Sequence, residues 1–266
     1  MKSTIQYFSV VLLIFLFVFS CKKKDDEVIV SDAVCTVTET NSEGQKLNSY
    51  TFTNKRLSST SFYRYGVLEH TRKFTYNSDL VIEQFYSAAG VASSATPNKY
   101  LLNQNGLAYI ATKHYASDSE RIDSIFYTYD GLGYLTKEVY NEYHDYSDPV
   151  KKTKTSITYN YTYTGGNLTS KTFNIPGDKH VQTFEYYSDL DDKYVEIEPS
   201  FLGKRSINLV KKDKENIYDA TTNILRGEAS SNDYSYDFDA NNNVTKITSI
   251  DNQDVEHIVN LANECN

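Results

Sequence analysis

Tryptophan is absent from this chain of 266 residues, proline occurs four times and the 11 glycines are scattered. No stretch is rich enough in Pro or Gly to read as a linker, so composition alone does not divide the chain. The strong helix formers Ala and Leu are not abundant, which removes the usual basis for a helical bundle. Positive charge is in deficit, with 27 Lys and Arg against 35 Asp and Glu, a net charge of −8. That balance excludes nucleic acid as a partner, because neutralising phosphates takes clustered Lys and Arg. Catalytic signatures are missing as well. The five histidines (His70, His114, His144, His180 and His257) lie no closer than 30 residues apart, and no HExxH occurs, so no zinc site is nominated. There is no GxSxG elbow, no GxxxxGK[ST] loop and no GxGxxG ahead of a helix. Carboxylates are plentiful, but their spacing nominates no acid–base pair of the glycosidase kind. The sequence therefore supplies no catalytic residue, metal ligand or cofactor motif.

What the sequence does have is tyrosine: 24 Tyr and 13 Phe, residues that suit a pleated, half-buried surface. In "SITYNYTYT" (156–164), Ile157, Tyr159, Tyr161 and Tyr163 fall on one face and Ser156, Thr158, Asn160, Thr162 and Thr164 on the other. That is the period of a strand with one covered side. Gly165-Gly166-Asn167 follows, residues that tolerate the positive φ of a hairpin turn. The unit recurs as "YTYDGLGYLTKEV" (127–139) and "YDFDANNNVTKIT" (236–248). Looser copies begin at Tyr50, Phe74, Tyr100, Phe184 and Ile217. Two strands per interval gives about 14–16 in all. "DYSDPVKKTKT" (145–155) reads as a long hairpin loop, and "DLDD" (189–192) as an acidic turn. "DVEHIVNLANE" (254–264) reads either as a short helix, with Val255, Ile258, Val259 and Ala262 on one stripe, or as a last strand. Consecutive hairpins pair with their neighbours. A broad sheet without covering helices must curl. The expected fold is all-β: a large antiparallel meander of degenerate hairpins, curled into an open or closed barrel-like sheet.

"DFDANNN" sets Asp237, Asp239, Asn241 and Asn243 at alternate positions, like the opening of a calcium loop. Its sixth place is Asn242 rather than Gly and its twelfth is Thr248 rather than Glu, and the turn itself explains the Asx residues. No metal is expected there. Tyr159, Tyr161 and Tyr163 are the candidate ligand-binding residues, since a tyrosine ring offers an apolar face and a polar tip. The same rings also serve as core.

The first 20 residues carry Lys2 and then an apolar run, Val10 to Phe19, too short to span a bilayer and suited to a signal peptide. The run ends at Ser20-Cys21, which resembles a lipobox. The resemblance implies a lipid on Cys21 and a membrane tether through it; an ordinary secretory signal is the other reading. "CKKKDDE", from Cys21 to Glu27, resembles the surface-export signal of Bacteroidota-type lipoproteins. It opens a charged tether (21–30), with a single all-β domain after it (31–266). If Cys21 carries lipid, Cys35 and Cys265 remain as an even pair. In an oxidising compartment they read as a disulfide joining the two ends of the fold, or else as two buried thiols.

The "YxYDxxGxLTK" pattern at 127–137 is distantly similar to the YD or Rhs repeat, whose copies build rolled β-sheets. Together with the lipobox, the length and the tyrosine content, it resembles a family of secreted Bacteroidota lipoproteins with an uncharacterised tyrosine-rich domain of porin-like β fold. The resemblance implies fold rather than activity. A membrane-inserted porin does not follow from it, because the second face of each strand is Ser, Thr, Asp, Asn and Lys rather than an apolar band. The expected function is that of a non-enzymatic, lipid-anchored protein of the outer membrane, exposed at the cell surface or facing the periplasm. Its expected partner is a glycan, a small hydrophobic ligand or an envelope protein. The alternatives are a structural envelope spacer and a polysaccharide hydrolase.

Overall fold

A computed structural model describes residues 34–265 apart from 116–117, 145–152 and 192–198. The proposed lipidation site Cys21, the signal peptide and the tether lie outside the described residues. Within them the chain forms sixteen strands. The first eight are β1 (Val34–Thr40), β2 (Lys46–Thr53), β3 (Arg56–Arg64), β4 (Val67–Tyr76), β5 (Leu80–Ser87), β6 (Asn98–Leu102), β7 (Ala108–Tyr115) and β8 (Asp118–Tyr129). The second eight are β9 (Leu135–His144), β10 (Thr153–Thr164), β11 (Asn167–Ile175), β12 (Asp178–Asp191), β13 (Asn208–Asp219), β14 (Leu225–Phe238), β15 (Val244–Asp251) and β16 (Glu256–Cys265). Each strand pairs with its sequence neighbours, and β1 pairs antiparallel with β16. The sheet is a closed up-and-down barrel. It leaves no free edge, and no segment outside 34–265 is needed to complete its ladders.

Two turn chemistries produce the meander. Short hairpins place two residues at positive φ, as at Asn54-Lys55, Tyr65-Gly66 and Gly165-Gly166, the geometry whose twist matches paired strands. The longer turns use an Asx side chain. Asp130 accepts the backbone N–H groups of Leu132 and Tyr134 at 2.9 Å each. Asn41, Asn103, Asp239 and Asp251 do the same for the residues two and four places on. The residue three places on then takes positive φ: Gly44, Gly106, Gly133, Asn242 or Asp254. The aspartate and glycine of "YTYDGLGYLTKEV" are thus the two working parts of one hairpin turn.

One open alternative is decided and two local expectations change. Residues 256–265 are strand rather than helix, because they hydrogen-bond to β15 on one side and to β1 on the other. Asp189–Asp191 continue β12 rather than turn, with Asp191 paired to Asn208. The copy beginning at Phe184 is therefore one long strand and not a hairpin. Of the loop expected at 145–155, residues 153–155 belong to β10 and pair with β9, and 145–152 lie outside the described residues.

Alternation sends one side chain in two into the barrel. Val37, Phe52, Leu57, Leu209, Val244 and Leu261 form one buried cluster; Val81, Tyr100, Ala108, Ala111, Ile125 and Phe201 form another. Phe201 comes from the connection between β12 and β13, where Ser200–Leu202 form one 3-10 turn. Its ring packs against Phe74, Tyr76 and Tyr100 inside the barrel. The connection is stitched to neighbouring turns: Lys204 N–H donates to the Gly133 carbonyl at 2.9 Å and Ile207 N–H to that of Gly166 at 3.3 Å. It plugs the barrel at the end that carries the β8–β9 and β10–β11 turns. Gly203, at φ +109°, makes the fit possible: a Cβ there would lie 2.8 Å from a Tyr129 ring carbon and 3.1 Å from the Gly133 oxygen.

The outward face is polar over much of the ring. Strand β1 presents Thr36, Thr38 and Thr40, and β10 presents Ser156, Thr158, Asn160 and Thr162. The exception is one row across five strands, where Leu80, Leu101, Ile110, Phe126 and Val139 stand opposite one another in register. On the far side of Val139 the row ends at Thr158. It is a stripe on one flank and not the continuous girdle of a lipid-spanning barrel.

Candidate binding cavity in the lumen

Tyr159, Tyr161 and Tyr163 point inward, where the alternation of β10 sets them. They line a cavity system directly against the plug. The larger space is ≈ 740 Å³ and includes Tyr161 and Tyr163 in its wall; the smaller is ≈ 270 Å³ and includes Tyr159 and Tyr161. Lys113, Glu138, Tyr161 and Lys171 belong to both. These four come from β7, β9, β10 and β11, so the shared wall is assembled across one side of the barrel. The larger volume falls in the range of small-molecule sites.

The wall has a definite chemistry. Tyr161 donates its hydroxyl to Glu138 Oε2 at 3.0 Å. Lys171 Nζ sits 4.9 Å from the Tyr159 ring centroid and 5.8 Å from that of Tyr161, a cation over two aromatic faces. Tyr159 also packs on Phe173 (centroids 5.0 Å apart), and Phe173 stacks on His180 at 4.5 Å. On the plug side, Tyr163 lies 4.8 Å from Tyr134, and Lys204 Nζ lies 5.6 Å from the Tyr134 ring. Tyr186 donates to the Leu168 carbonyl at 2.7 Å, and Tyr236 to the Val210 carbonyl at 2.8 Å. Burial raises the pKa of Tyr127, Tyr159 and Tyr161, and the Glu138 carboxylate pushes each further up. These phenols therefore stay protonated and act as hydrogen-bond donors and apolar faces rather than as nucleophiles.

A second lumenal feature escaped the sequence reading. Three times, an inward acid on an odd strand faces an Asn-x-Tyr on the next strand. Glu39 accepts from Asn48 at 2.6 Å and Tyr50 at 3.3 Å; Glu83 from Asn98 at 2.8 Å and Tyr100 at 2.9 Å; Asp213 from Asn232 and Tyr234, both at 3.0 Å. In each case acid and asparagine are direct register partners. Glu83 also holds Arg72 at 3.1 Å, and Asp213 holds Gln182 at 3.0 Å. Asp123, fully buried, is gripped by Arg121 at 3.1 Å through both oxygens and by the Tyr140 hydroxyl. Buried carboxylates are tolerated only with partners of this kind. They form a structural polar belt whose oxygens are taken up by neighbours.

The other candidate residues fall as follows. Cys35 and Cys265 are direct partners in the β1–β16 ladder and are joined by a disulfide. Asp239, the centre of the calcium-like motif, spends its carboxylate on the β14–β15 turn, with Asn243 Nδ2 bound at 2.8 Å. Among the described residues no group of three His, Cys, Asp or Glu is placed to hold a metal ion.

No family model and no curated protein matches the chain. Solved structures do. A porin-like protein from Bacteroides uniformis ATCC 8492 aligns with a TM-score of 0.54 at 17% identity, over 88% of this chain and 97% of its own. A porin-like protein from Bacteroides vulgatus ATCC 8482 aligns with a TM-score of 0.51 at 13% identity, over 85% and 97%. At these identities the likeness is one of fold: this chain shares the porin-like β-barrel architecture.

Proposed function

We propose that the protein is a non-enzymatic envelope barrel that binds a small ligand in its lumen and is held at the outer membrane by a lipid on Cys21. The observation that carries the binding reading is the direction of Tyr159, Tyr161 and Tyr163. A sheet built to grip an envelope protein would turn such a ladder outward. Here the rings line a partly open lumenal space of ligand size, beside lysines and a carboxylate. The acids deeper in the ring are already held by Asn, Arg and Tyr side chains, which favours binding over acid–base hydrolysis. The polar outer surface favours tethering by lipid over insertion of the barrel itself.

The test is thermal unfolding of the barrel fragment 33–266, disulfide intact, against saccharides, acyl-chain lipids and calcium. A compound that binds only the folded state raises the midpoint by mass action. A shift that Tyr161→Ala abolishes supports lumenal binding. No shift across the panel would move the protein to the role of structural spacer. The anchor is tested separately: Cys21→Ala should release the full chain from the membrane fraction, and a variant that stays there refutes the lipid.

A further inference from the structure

We infer that the lumenal ligand is an amphipathic anion: a single carboxylate-, sulfonate- or phosphate-type group on an apolar body. The inference rests on the lumenal-binding reading above and adds the ligand's charge. The chain as a whole is acidic, at −8, yet the larger cavity reverses that sign. Among the described residues, the charged side chains of its wall are Lys113, Lys171, Lys204 and Arg205 against Glu138.

The three lysines are not paired in ion bridges. Among the described residues, Lys113, Lys171 and Lys204 have no carboxylate within ion-pair distance. Lys171 and Lys204 instead rest over the rings of Tyr159, Tyr161 and Tyr134. Asp123, opposite Lys113 in the β7–β8 ladder, is taken up by Arg121, and Glu138, which accepts from Tyr161, sets one negative charge against the cations of the wall. Lys113 and Lys171 are half-buried and Lys204 is exposed; a half-buried ammonium gains most from an opposite charge brought into the same low-dielectric space. Most of the remaining wall is aromatic or aliphatic, including Phe184, Leu168, Leu202 and Ile247, with Gln182, Ser206 and Asn208 as its uncharged polar members. A fully charged ligand would waste those surfaces, and a neutral one would leave the lysines unanswered.

A matched pair of fluorescent probes tests this directly on fragment 33–266: 8-anilinonaphthalene-1-sulfonate and N-phenyl-1-naphthylamine, the same ring system with and without the anion. The sulfonate is expected to bind at least about tenfold more tightly. Lys113→Met and Lys171→Gln should each weaken the sulfonate about tenfold and leave the neutral probe unchanged. Unchanged neutral-probe binding also certifies that the variants fold. Phe126→Ser, on the outer stripe, should alter neither affinity. Equal affinity for the two probes, or lysine variants that leave the sulfonate unaffected, overturns the charge assignment while lumenal binding stands. Binding of neither probe overturns both. Competition by decanoate assigns a lipid source for the anion, and competition by phenyl glucuronide a saccharide source. Displacement that is equally strong by decanol or phenyl glucoside refutes the need for charge.

Discussion

Removing the Cys35–Cys265 disulfide should cost the barrel much of its stability, and should do so at one place. The bond links residues 230 apart in sequence, so in the chain-entropy model it withdraws about 5 kcal/mol of freedom from the unfolded chain. Residual structure in the unfolded state reduces that figure, and a loss of about 3–5 kcal/mol is expected for the double variant Cys35→Ala, Cys265→Ala. The sheet gives the effect a location. Fifteen of the sixteen pairings join consecutive strands, whereas β1–β16 must close the whole ring, the contact with the largest loop-closure cost. Urea unfolding followed by far-UV circular dichroism measures the stability loss. Hydrogen exchange should show protection falling first at the amides of β1 and β16, with β8 and β9 still closed. A loss below about 1 kcal/mol, or protection lost evenly round the ring, would show that the hydrogen-bond ladder alone holds the seam and that the reasoning is wrong.

Three further perturbations follow from the lumen and the plug. Glu83→Ala strands the donors of Asn98 and Tyr100, each only 5% exposed, and frees Arg72; it should cost about 3–5 kcal/mol in chemical denaturation, while Glu83→Gln, which keeps an acceptor, should cost clearly less. Equal losses would mean that the charge paired with Arg72, and not an acceptor as such, is what Glu83 supplies. Gly203→Ala forces a Cβ into Tyr129 at a backbone angle that favours glycine, and should destabilise by about 2–3 kcal/mol; an unchanged denaturation midpoint would show that the plug adjusts freely. Alkali should also unfold the barrel. Burial pushes the Tyr234 hydroxyl up to about 12, with Asp213 adding to the shift, and burial pushes Tyr76 up to about 12 against a smaller opposing pull from Arg56. The folded state therefore holds these protons after the unfolded chain has lost them; their stabilisation is complete below pH about 10 and is lost as pH rises through about 12. Tyrosinate absorbance should appear together with loss of sheet, and complete ionisation near pH 10 in a still-folded barrel would contradict this.

Strand content and pairing order were legible because their signals are local. Tyr159, Tyr161 and Tyr163 against Thr158, Asn160 and Thr162 announce a two-sided strand, and Gly165-Gly166 announces its turn. Closure was not legible, since no residue of β1 encodes that β16 will arrive beside it; only the pairing of Cys35 with Cys265 hinted at it. The apolar stripe of Val255, Ile258, Val259 and Ala262 was ambiguous for a physical reason. A short segment fits helical and extended periods alike until a neighbouring strand decides. Phe201 gave no warning either, since a lone aromatic in an irregular connection carries no period. The acid belt was hidden by variable spacing: its acids precede their asparagines by 9, 15 and 19 residues, according to the length of strand and turn between. The letters alone mislead, too. Asn141-Glu142-Tyr143 fits the same Asn-x-Tyr pattern, but Asn141 pairs with Ser124, one place out of phase with Asp123.

The belt and the cavity together explain why this barrel is polar on both sides. A lipid-facing barrel puts its apolar residues outward and can leave its lumen to water. Here the outer face is mostly Thr, Ser, Asn and Lys, so burial must be found inside. The lumen meets that need with rings, and tyrosine supplies a ring with a donor at its tip. Most inward carboxylates then have a phenol beside them, as Glu39 has Tyr50, Glu83 has Tyr100, Glu138 has Tyr161 and Asp213 has Tyr234, while Glu215 is held by His180. The abundance of tyrosine and the absence of tryptophan are two sides of this arrangement: the smaller ring fits between strands, and its hydroxyl reaches a neighbouring acid. The exception in the pattern is the wall that Lys113 and Lys171 share with Glu138, where neither lysine has a carboxylate within ion-pair distance among the described residues. A lumen that elsewhere pairs its acids so consistently sets these lysines, outside any ion pair, beside a space of ligand size.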